Sequence, residues 1–449
     1  MSRRMRTVLC LMCAASLSAW SASVAAADPP GRGGPGGHGG PPHGPALYVS
    51  PSATTGAADR SCQSAAYTSV QAAVQAARPG QLVYLCGSVP YRESVLIDKD
   101  LRLGGDPGAT IQAPAGDASP ATSFFSNQGL LTPNAVLTIL GDVHVRVQGL
   151  QIEGPFDNSG CTPDDFGILD IGATVQIIDD RVLDIRASDQ AGDGGCQYGI
   201  AVQVGRRYWP SVSGSPTLVN FSATAQILNS YIAGYQKNGI TVDGAGSSAQ
   251  IRGNTIQGGG QTAAIARNGV QVSRGATGQV VGNLISGNEY TGPGSFAAAT
   301  GVLVYGGCGD PLSSGVLIAR NALVDNDAGI DVSEFDPTCS QAPSSPTDTR
   351  VVANEVVKSD GETNQSPFTA QDGSSYTAYQ VGIADTGNGD SVVHNAIVGT
   401  VASGADTAFG PLTTPGGPFL APIDVQTYPP LNASVQGNVF DGAPTSPPY

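Results

Sequence analysis

Acidic and basic side chains recur beside short aliphatic segments that begin with Gly-Ile or Gly-Val. Asp243 and Asp331 fall within two such segments, GITVD and GIDVS, while Lys237 precedes the first and Arg274 follows a third. A carboxylate near a cationic side chain can transfer a proton or stabilise a developing charge. These four residues form the candidate catalytic set, with the aspartates as acids and Arg274 or Lys237 as the base.

Four further side chains are candidates for binding a ligand. Alternate side chains of an extended strand point to opposite sides, so if the aliphatic residues point inward, Gln203, Gln271 and Tyr305 point outward. Trp209 closes the string RRYW and offers a ring for stacking on a sugar. A loop anchor is the alternative role for that string.

The two aspartates are too far apart to act as a pair. Asp243 and Asp331 are separated by three repeats of the Gly-Ile segment, which corresponds to roughly 14 Å between stacked strands. An inverting glycosidase needs about 6.5–9.5 Å between its carboxyl groups. Either aspartate is therefore expected to work with a loop acid, and the candidates are Asp310, Glu289 and Asp336.

Calcium is the one cofactor that the sequence suggests. Asp164 and Asp165 are adjacent acids, and carboxylate oxygens are the ligands that calcium prefers. Solvated acids in a turn are the alternative, because charged side chains are usually exposed. The sequence contains no GxSxG, HExxH, P-loop or dinucleotide-binding motif.

A two-part repeat must position these residues. One half is the Gly-Ile type segment, which starts at Gly167, Gly199, Gly239, Gly269, Gly301, Gly329 and Gly382. The other half reads apolar-x-x-Asn-x-apolar, with its Asn at 229, 254, 283, 321, 354 and 395. One unit cannot bury its own aliphatic residues, but stacked units can. Each Asn is expected to adopt left-handed backbone angles and to join a hydrogen-bonded ladder, and each Gly to supply a permissive turn.

These repeats resemble the right-handed parallel β-helix repeat of pectate-lyase-like proteins. The stretch from Tyr67 to Gly105 resembles the capping helix and first coils of that fold. The resemblance implies an all-β, right-handed parallel β-helix with an N-terminal capping helix over residues 46–440, and a substrate that lies along one strand face between long loops. The same stretch resembles the start of pectin methylesterases, but DDFGILD and RYWP do not match the catalytic blocks of that family, so no roles are transferred.

The N-terminus has the features of an export signal. Arg3, Arg4 and Arg6 precede an apolar stretch that ends in three alanines at 25–27. We therefore predict a signal peptide at 1–27, a Gly/Pro/His-rich linker at 28–45 and a Pro-rich tail at 441–449. The apolar stretch is too short to favour a membrane anchor, and the protein is expected to be extracellular.

Six cysteines remain after removal of the signal peptide, and an even number in an exported chain indicates disulfides. Their spacing suggests that sequence neighbours pair, although six cysteines allow 15 connectivities. The suggested pairs are Cys62 with Cys86, Cys161 with Cys196, and Cys308 with Cys339. A zinc site is the competing interpretation, but this part of the chain has no CxxC motif.

The charge balance limits the class of partner. The chain has 21 basic and 36 acidic residues, a formal net charge of −15, and this argues against nucleic acid. Together with the resemblance, it predicts a monomeric, secreted protein that binds extracellular polysaccharide, and it leaves open whether the protein also cleaves or modifies that polymer as a lyase or hydrolase. The alternative is a non-catalytic surface or matrix protein that uses the rigid rod for adhesion.

Overall fold

The structure, a computed structural model, describes residues 45–54, 59–157, 160–188, 194–292, 299–339, 341–358, 379–399, 419–425 and 433–440, with the short pieces 368–369, 375–376 and 443–444. The predicted signal peptide, nearly all of the predicted linker and most of the predicted tail lie outside these residues. Within the described ranges, no helix is long and apolar enough to cross a bilayer.

Most strands of the described chain belong to three long sheets, numbered here in chain order. Sheet I contains β1 (Leu47–Val49), β2 (Leu82–Leu85), β5 (Leu101–Gly105), β8 (His144–Gln148), β11 (Thr174–Ile178), β16 (Thr224–Leu228), β19 (Ser248–Arg252), β22 (Thr277–Val281), β25 (Leu317–Ala319), β28 (Arg350–Val352), β33 (Ser391–Val393) and β36 (Ser434–Gln436). Sheet II contains β3 (Tyr91–Arg92), β6 (Thr110–Gln112), β9 (Gln151–Glu153), β12 (Arg181–Leu183), β17 (Tyr231–Ala233), β20 (Thr255–Thr262), β23 (Leu284–Tyr290), β26 (Ala322–Val324), β29 (Glu355–Lys358), β34 (Ala396–Gly399), β37 (Val439–Phe440) and β38 (Ala443–Pro444). Sheet III contains β4 (Val95–Ile97), β7 (Asn134–Leu140), β10 (Asp165–Ile171), β13 (Ile200–Val204), β18 (Asn238–Asp243), β21 (Asn268–Ser273), β24 (Thr300–Gly306), β27 (Ala328–Glu334), β32 (Tyr379–Asp385) and β35 (Phe419–Val425).

The chain visits the sheets in a fixed order and advances one coil each time. It passes from sheet I to sheet II to sheet III, and strands of the same sheet in neighbouring coils pair in parallel. Crossover connections between parallel strands are right-handed in nearly all proteins. The molecule is a right-handed parallel β-helix, which confirms the predicted fold class.

Within the described ranges, two hairpins and three short helices lie outside the three sheets. The hairpins are β14 (Arg206–Trp209) with β15 (Thr217–Phe221), and β30 (Phe368–Thr369) with β31 (Ser375–Tyr376). The helices are a 3-10 turn (Cys62–Ser64), α1 (Val70–Ala76) and α2 (Phe124–Asn127). Helix α1 is the predicted cap, and it buries Val70, Ala73 and Val74 against the first coil. The carboxylate of Glu93 accepts hydrogen bonds from the first backbone N–H groups of α1, which fixes the helix on the open end.

Aliphatic side chains of successive coils stack in rows inside the helix. On sheet III, Ile168, Val202, Ile240, Val270 and Val302 are in register and wholly buried. Burying each such side chain contributes about 1.5–3 kcal/mol. The inward half of the predicted alternation is therefore confirmed, and the residues between them face outward.

Close packing, and not a left-handed turn, explains the glycine of most Gly-Ile segments, whereas Gly199 has a φ of 83° and makes the predicted permissive turn. A Cβ atom on Gly239 would lie 2.5 Å from the carbonyl oxygen of Gly269, and a Cβ on Gly269 would lie 2.4 Å from a side-chain carbon of Ile285. Neither glycine has a positive φ. The predicted permissive turn is wrong at these positions, because what the coils need there is the absence of a side chain.

Stacked asparagines connect the coils at the turn between sheets I and II. From the second member onward, the side-chain oxygen of each Asn accepts hydrogen bonds from the backbone N–H and the Nδ2 of the Asn one coil earlier. Each Nδ2 also donates to a backbone carbonyl. The ladder consists of Asn254, Asn283, Asn321, Asn354, Asn395 and Asn438, and it confirms the predicted hydrogen bonding.

The left-handed backbone angles belong to the residue before each ladder position. Arg320 has a φ of 55°, whereas Asn321 is not among the residues with a positive φ. Asn229 does have a positive φ of 50°, but the ladder position of its coil is held by Ser230. The prediction that one Asn performs both tasks is therefore wrong. A buried amide that serves two neighbouring coils must point inward, while the tight turn is made by its neighbour.

Three disulfides join the sequence neighbours as suggested. They are Cys62–Cys86, Cys161–Cys196 and Cys308–Cys339, with Cα–Cα distances of 5.5, 5.1 and 4.8 Å. The third closes the loop after β24 onto the loop after β27. The loop after β24 also holds Asp310, which belongs to the site described below.

Candidate functional site

The outer face of sheet III presents polar side chains in rows that follow the axis of the helix. One row brings Thr241, Gln271, Leu303 and Asp331 into register on successive coils. The neighbouring row, at the carboxyl ends of the strands, contains Asp243, Ser273, Tyr305 and Ser333. Stacked strands repeat every ~4.8 Å, so these rows offer hydrogen-bonding groups at a regular spacing.

The hairpin β14–β15 forms a wall beside these rows. It leaves β13 through Gly205 and places Arg206, Arg207 and Tyr208 near the carboxyl ends of sheet III. Trp209 holds the hairpin in place, because its ring stacks on Phe125 at 4.8 Å and its Nε1 donates to the carbonyl of Leu131 at 2.7 Å.

Trp209 is therefore a structural anchor in this structure. Only 1% of the residue is exposed, so its ring is not available to stack on a sugar as the sequence suggested. Trp209 thus has the alternative role that the sequence suggested for RRYW, that of a loop anchor, whereas the residues that precede it in the string point towards the site. Tryptophan is large enough to fill the space between a hairpin and a coil, which the sequence pattern alone does not reveal.

Asp243 is the most enclosed member of the site. Its Oδ1 accepts hydrogen bonds from Ser273 Oγ at 2.7 Å and from an Arg274 Nη at 3.0 Å. Its Oδ2 accepts from the backbone N–H of Arg207 at 2.8 Å. The carboxylate is thus held by three donors, two from the next coil and one from the hairpin.

Asp310 joins the same network from a loop. Its Oδ1 accepts from Arg207 Nε at 2.8 Å and from the Tyr208 hydroxyl at 2.7 Å. Its Oδ2 lies 3.3 Å from Arg274 Nε. Arg274 therefore bridges the two carboxylates, and we call Asp243, Arg274, Asp310, Arg207 and Tyr208 the Arg274 cluster.

Arg274 is the member of the cluster that solvent and ligand can reach. Its side chain is 30% exposed, compared with 3% for Asp243. Its guanidinium lies 5.5 Å from the ring centre of Tyr208 and 5.7 Å from that of Tyr305. Its φ of 54° is in the left-handed region, which is unusual for a residue with a side chain and frequent at functional sites.

The chemistry available to the cluster follows from its donors. The hydrogen bond to Asp310 raises the pKa of the Tyr208 phenol, so the phenol stays protonated at neutral pH. Both carboxylates act as acceptors for cationic or hydroxyl donors. The arrangement suits binding of a polar, hydroxyl-rich ligand by Arg274 and two tyrosines.

The other predicted site residues are distributed over the same face but do not all meet. Asp331 accepts from Ser333 Oγ and lies three strands from Asp243, so the two aspartates do not form a pair. Gln271 donates to Ser273 Oγ at 3.0 Å and lies beside the cluster. Gln203 faces outward but is 1% exposed, and its amide donates to the carbonyl of Gly205.

Lys237 lies away from the cluster. Its Nζ donates to the carbonyl of Ala266 at 2.8 Å, and burial lowers its pKa to about 8. The structure gives it no contact with Asp243 or Arg274 among the hydrogen bonds of the described residues, so it is not placed to share a reaction with them.

The carboxylates of Asp164 and Asp165, the predicted calcium ligands, have separate partners. Asp164 pairs with the guanidinium of Arg206, and Asp165 is buried with its Oδ1 accepting from Asn134 Nδ2 at 3.0 Å. Adjacent residues of a strand point to opposite sides, which separates the two carboxylates. In the part of the chain that the structure describes, no group of three or more His, Cys, Asp or Glu residues could hold a metal ion.

Sequence reasoning named Asp310 only as one of three loop acids, and it did not assign Ser273. Asp310 and Arg207 are 103 residues apart, so no local pattern connects them. The signal for Ser273 was its position in the same outward row as Asp243, where the two are direct neighbours in register.

A second group of acids is buried at the far end of sheet III. Glu334 ends β27 with 0% exposure, and burial raises the pKa of its carboxyl from 4.5 to about 8. Its Oε1 accepts from the backbone N–H of Ser313 at 3.1 Å. Burial and the neighbouring Asp390 raise the pKa of Asp385 well above its usual value, and burial likewise raises the pKa of Asp390.

We expect Glu334→Gln to stabilise the protein at alkaline pH. The folded state keeps Glu334 protonated, so its contribution is fully present below pH 4.5 and is lost as the pH rises towards 8. A neutral amide avoids this loss, and the gain in the free energy of unfolding at pH 8 should be on the order of 2 kcal/mol. Urea unfolding at pH 4 and pH 8 measures it, with exposed Glu355→Gln as the control. An equal effect of Glu334→Gln at both pH values would contradict the prediction.

Comparisons with known proteins identify fold relatives only. No family model matches the chain, and no curated protein matches it. Among solved structures, an alginate lyase from Paenibacillus sp. str. FPU-7 is similar at 14% identity and a TM-score of 0.41, over 82% of this chain and 95% of that one. The Dettilon tailspike protein is similar at 11% identity and a TM-score of 0.42, over 89% of this chain and 67% of that one. A periplasmic alginate epimerase is similar at 11% identity and a TM-score of 0.35, over 81% of this chain and 78% of that one. The three parallel sheets make this chain a right-handed parallel β-helix protein.

Proposed function

We propose that the protein is exported and binds an extracellular polysaccharide along the outer face of sheet III, with the Arg274 cluster as the anchoring point. The observation that supports this is the bridging of Asp243 and Asp310 by a partly exposed arginine beside Tyr208 and Tyr305. The guanidinium and the tyrosine rings together can bind a sugar, because sugar hydroxyls accept hydrogen bonds and the C–H face of a sugar packs on aromatic rings.

The rows on sheet III favour a polymer over a single sugar. Gln271, Leu303 and Asp331 follow one another on successive coils and are half-buried, whereas Thr241 is buried, so a chain of similar units can contact the first three in turn. A small ligand would use only one coil. The three disulfides suit a protein that works outside the cell.

Cleavage of the bound polysaccharide is the second candidate function. Tyr208 is a neutral phenol held between Asp310 and two arginines, which is an arrangement that can deliver a proton to a leaving oxygen. No step is assigned to Asp243 with Asp331, because the structure keeps them apart.

A polysaccharide panel tests both functions. Binding is measured by affinity electrophoresis, and products are measured as reducing ends and as unsaturated uronates, with and without calcium. Reducing ends alone indicate a hydrolase, and unsaturated products indicate a lyase. Binding without either product indicates the adhesive role, and the absence of binding to every member contradicts the proposal.

Arg274→Gln is expected to weaken polysaccharide binding at least about tenfold, because it removes a charged donor that faces the ligand. Exposed Arg350→Gln on sheet I is the matched control and should bind like the unchanged protein. If Arg274→Gln also binds like the unchanged protein, the binding site lies elsewhere on the molecule.

A further inference from the structure

Two arginines stand side by side on the outer face of sheet I, a different face from that of the Arg274 cluster. Arg102 of β5 and Arg146 of β8 are direct neighbours in register, so their Cα atoms are about 4.8 Å apart. Like charges at such positions repel and destabilise a sheet. Neither arginine belongs to an ion pair among the described residues. The arrangement is notable in a chain with a net charge of −15.

A groove of about 530 Å³ opens beside these arginines. Nine residues line it, and none of them is acidic. Gly104 of β5 lies in register between Tyr84 on one neighbouring strand and Gln148 on the other. A Cβ on Gly104 would make an ordinary contact, 3.4 Å from the carbonyl oxygen of Gln148, so this position has room for a side chain that would extend into the groove.

Hydrogen bonds and a ring contact hold the polar side chains around the groove in fixed orientations. Gln148 Oε1 accepts from Arg146 Nε at 3.1 Å and from an Arg146 Nη at 2.8 Å, which fixes the guanidinium. Tyr84 is held by a hydrogen bond from its hydroxyl to Asp106 at 2.8 Å, and its ring is 5.5 Å from that of Tyr48. Arg102 is exposed and free to close on a ligand.

We propose that this groove binds an anionic saccharide unit, one that bears a carboxylate or a sulfate ester. Two guanidinium groups on adjacent strands can share one such anion, because each forms charge-assisted hydrogen bonds with it. The bound anion removes the repulsion between the arginines, and Tyr84 and Leu82 offer a ring and an apolar side chain to the sugar. The proposal does not depend on the function of sheet III.

Two pairs of glycans, each an anionic polymer with its neutral counterpart, distinguish a carboxylate from a sulfate ester as the group that binds. Polygalacturonate is compared with fully methyl-esterified pectin, and dextran sulfate with dextran, by titration calorimetry at low and high salt. We expect at least one anionic member to bind more tightly than its neutral counterpart, with an affinity that falls as salt rises. Equal binding of both members in both pairs, or no binding at all, overturns the proposal.

Two variants locate this binding on sheet I. Arg102→Gln with Arg146→Gln should weaken binding of the anionic glycan at least about tenfold, and it relieves the repulsion, so the variant is expected to fold. Gly104→Gln keeps both arginines but fills the groove, and it should weaken binding as well. Exposed Arg252→Gln on the same sheet is the control and should bind normally. Unchanged binding in the double variant overturns the proposal, whatever Gly104→Gln shows.

Discussion

Replacing Asp243 with alanine should reduce the free energy of unfolding by about 3 kcal/mol and abolish binding at sheet III. The carboxylate is almost completely buried and accepts hydrogen bonds from Ser273, Arg274 and the backbone N–H of Arg207. Alanine leaves the buried Ser273 hydroxyl and the Arg207 N–H without their acceptor, and it releases Arg274 from one of its two carboxylates.

The effect of Asp243→Ala can be separated from general damage to the fold. Asp243→Asn keeps the size and one acceptor oxygen, so its loss of stability should be smaller, while Arg274 still loses the full negative charge. Exposed Asp142→Ala is the control and should change stability by less than about 0.5 kcal/mol. Urea unfolding and glycan binding are measured on all three variants. An Asp243→Ala variant as stable as Asp142→Ala would show that the network does not hold the hairpin and the coils together.

Replacing Asn321 with alanine should reduce the free energy of unfolding by about 3–4 kcal/mol. Its Oδ1 accepts from both the backbone N–H and the Nδ2 of Asn283, and its Nδ2 donates to Asn354 and to the carbonyl of Val280. All of these groups are buried, and water cannot replace the missing amide without opening the turn. The loss should therefore exceed that for an ordinary side-chain hydrogen bond.

The ladder itself provides a graded comparison for Asn321. Ser230 holds the equivalent position in an earlier coil, where its hydroxyl accepts from the backbone N–H of Asp180 and donates to the carbonyl of Leu228. Asn321→Ser should thus cost less than Asn321→Ala. Exposed Gln250→Ala removes an amide from the outer face of sheet I and should be nearly neutral. Equal losses for the serine and alanine variants would indicate that packing, and not hydrogen bonding, is what the ladder supplies.

The sequence predicted most of the fold because the fold is built from local repeats. Alternation within a strand of five residues fixes which side chains point inward, and this was correct for Ile240, Val270 and Val302. The recurrence of Asn predicted the ladder, although the left-handed angle falls on the preceding residue, as at Arg320. A pattern of residue types indicates that a turn recurs, but it does not say which of two adjacent residues turns inward.

The candidate site could be predicted only in part. Asp243 and Tyr305 were selected from outward-facing positions and Arg274 as a candidate base after a strand, and the three do meet at the carboxyl ends of neighbouring strands of sheet III. Trp209 was chosen by its type, and the structure buries it. Asp164 and Asp165 were chosen by adjacency, which places them on opposite sides of the backbone.

By itself, the sequence determined the stacked coil and the inward aliphatic rows, because each depends on residues within one or two repeats. It suggested the pairing of neighbouring cysteines, which the structure then showed. Only the tertiary structure decided that Asp310 reaches Arg207 across 103 residues and that Arg102 stands beside Arg146. The physical reason is the stacking of the coils. Insertions of different length are brought to the same edge of a sheet, and which side chains meet there depends on the paths of the loops, which the repeat leaves free.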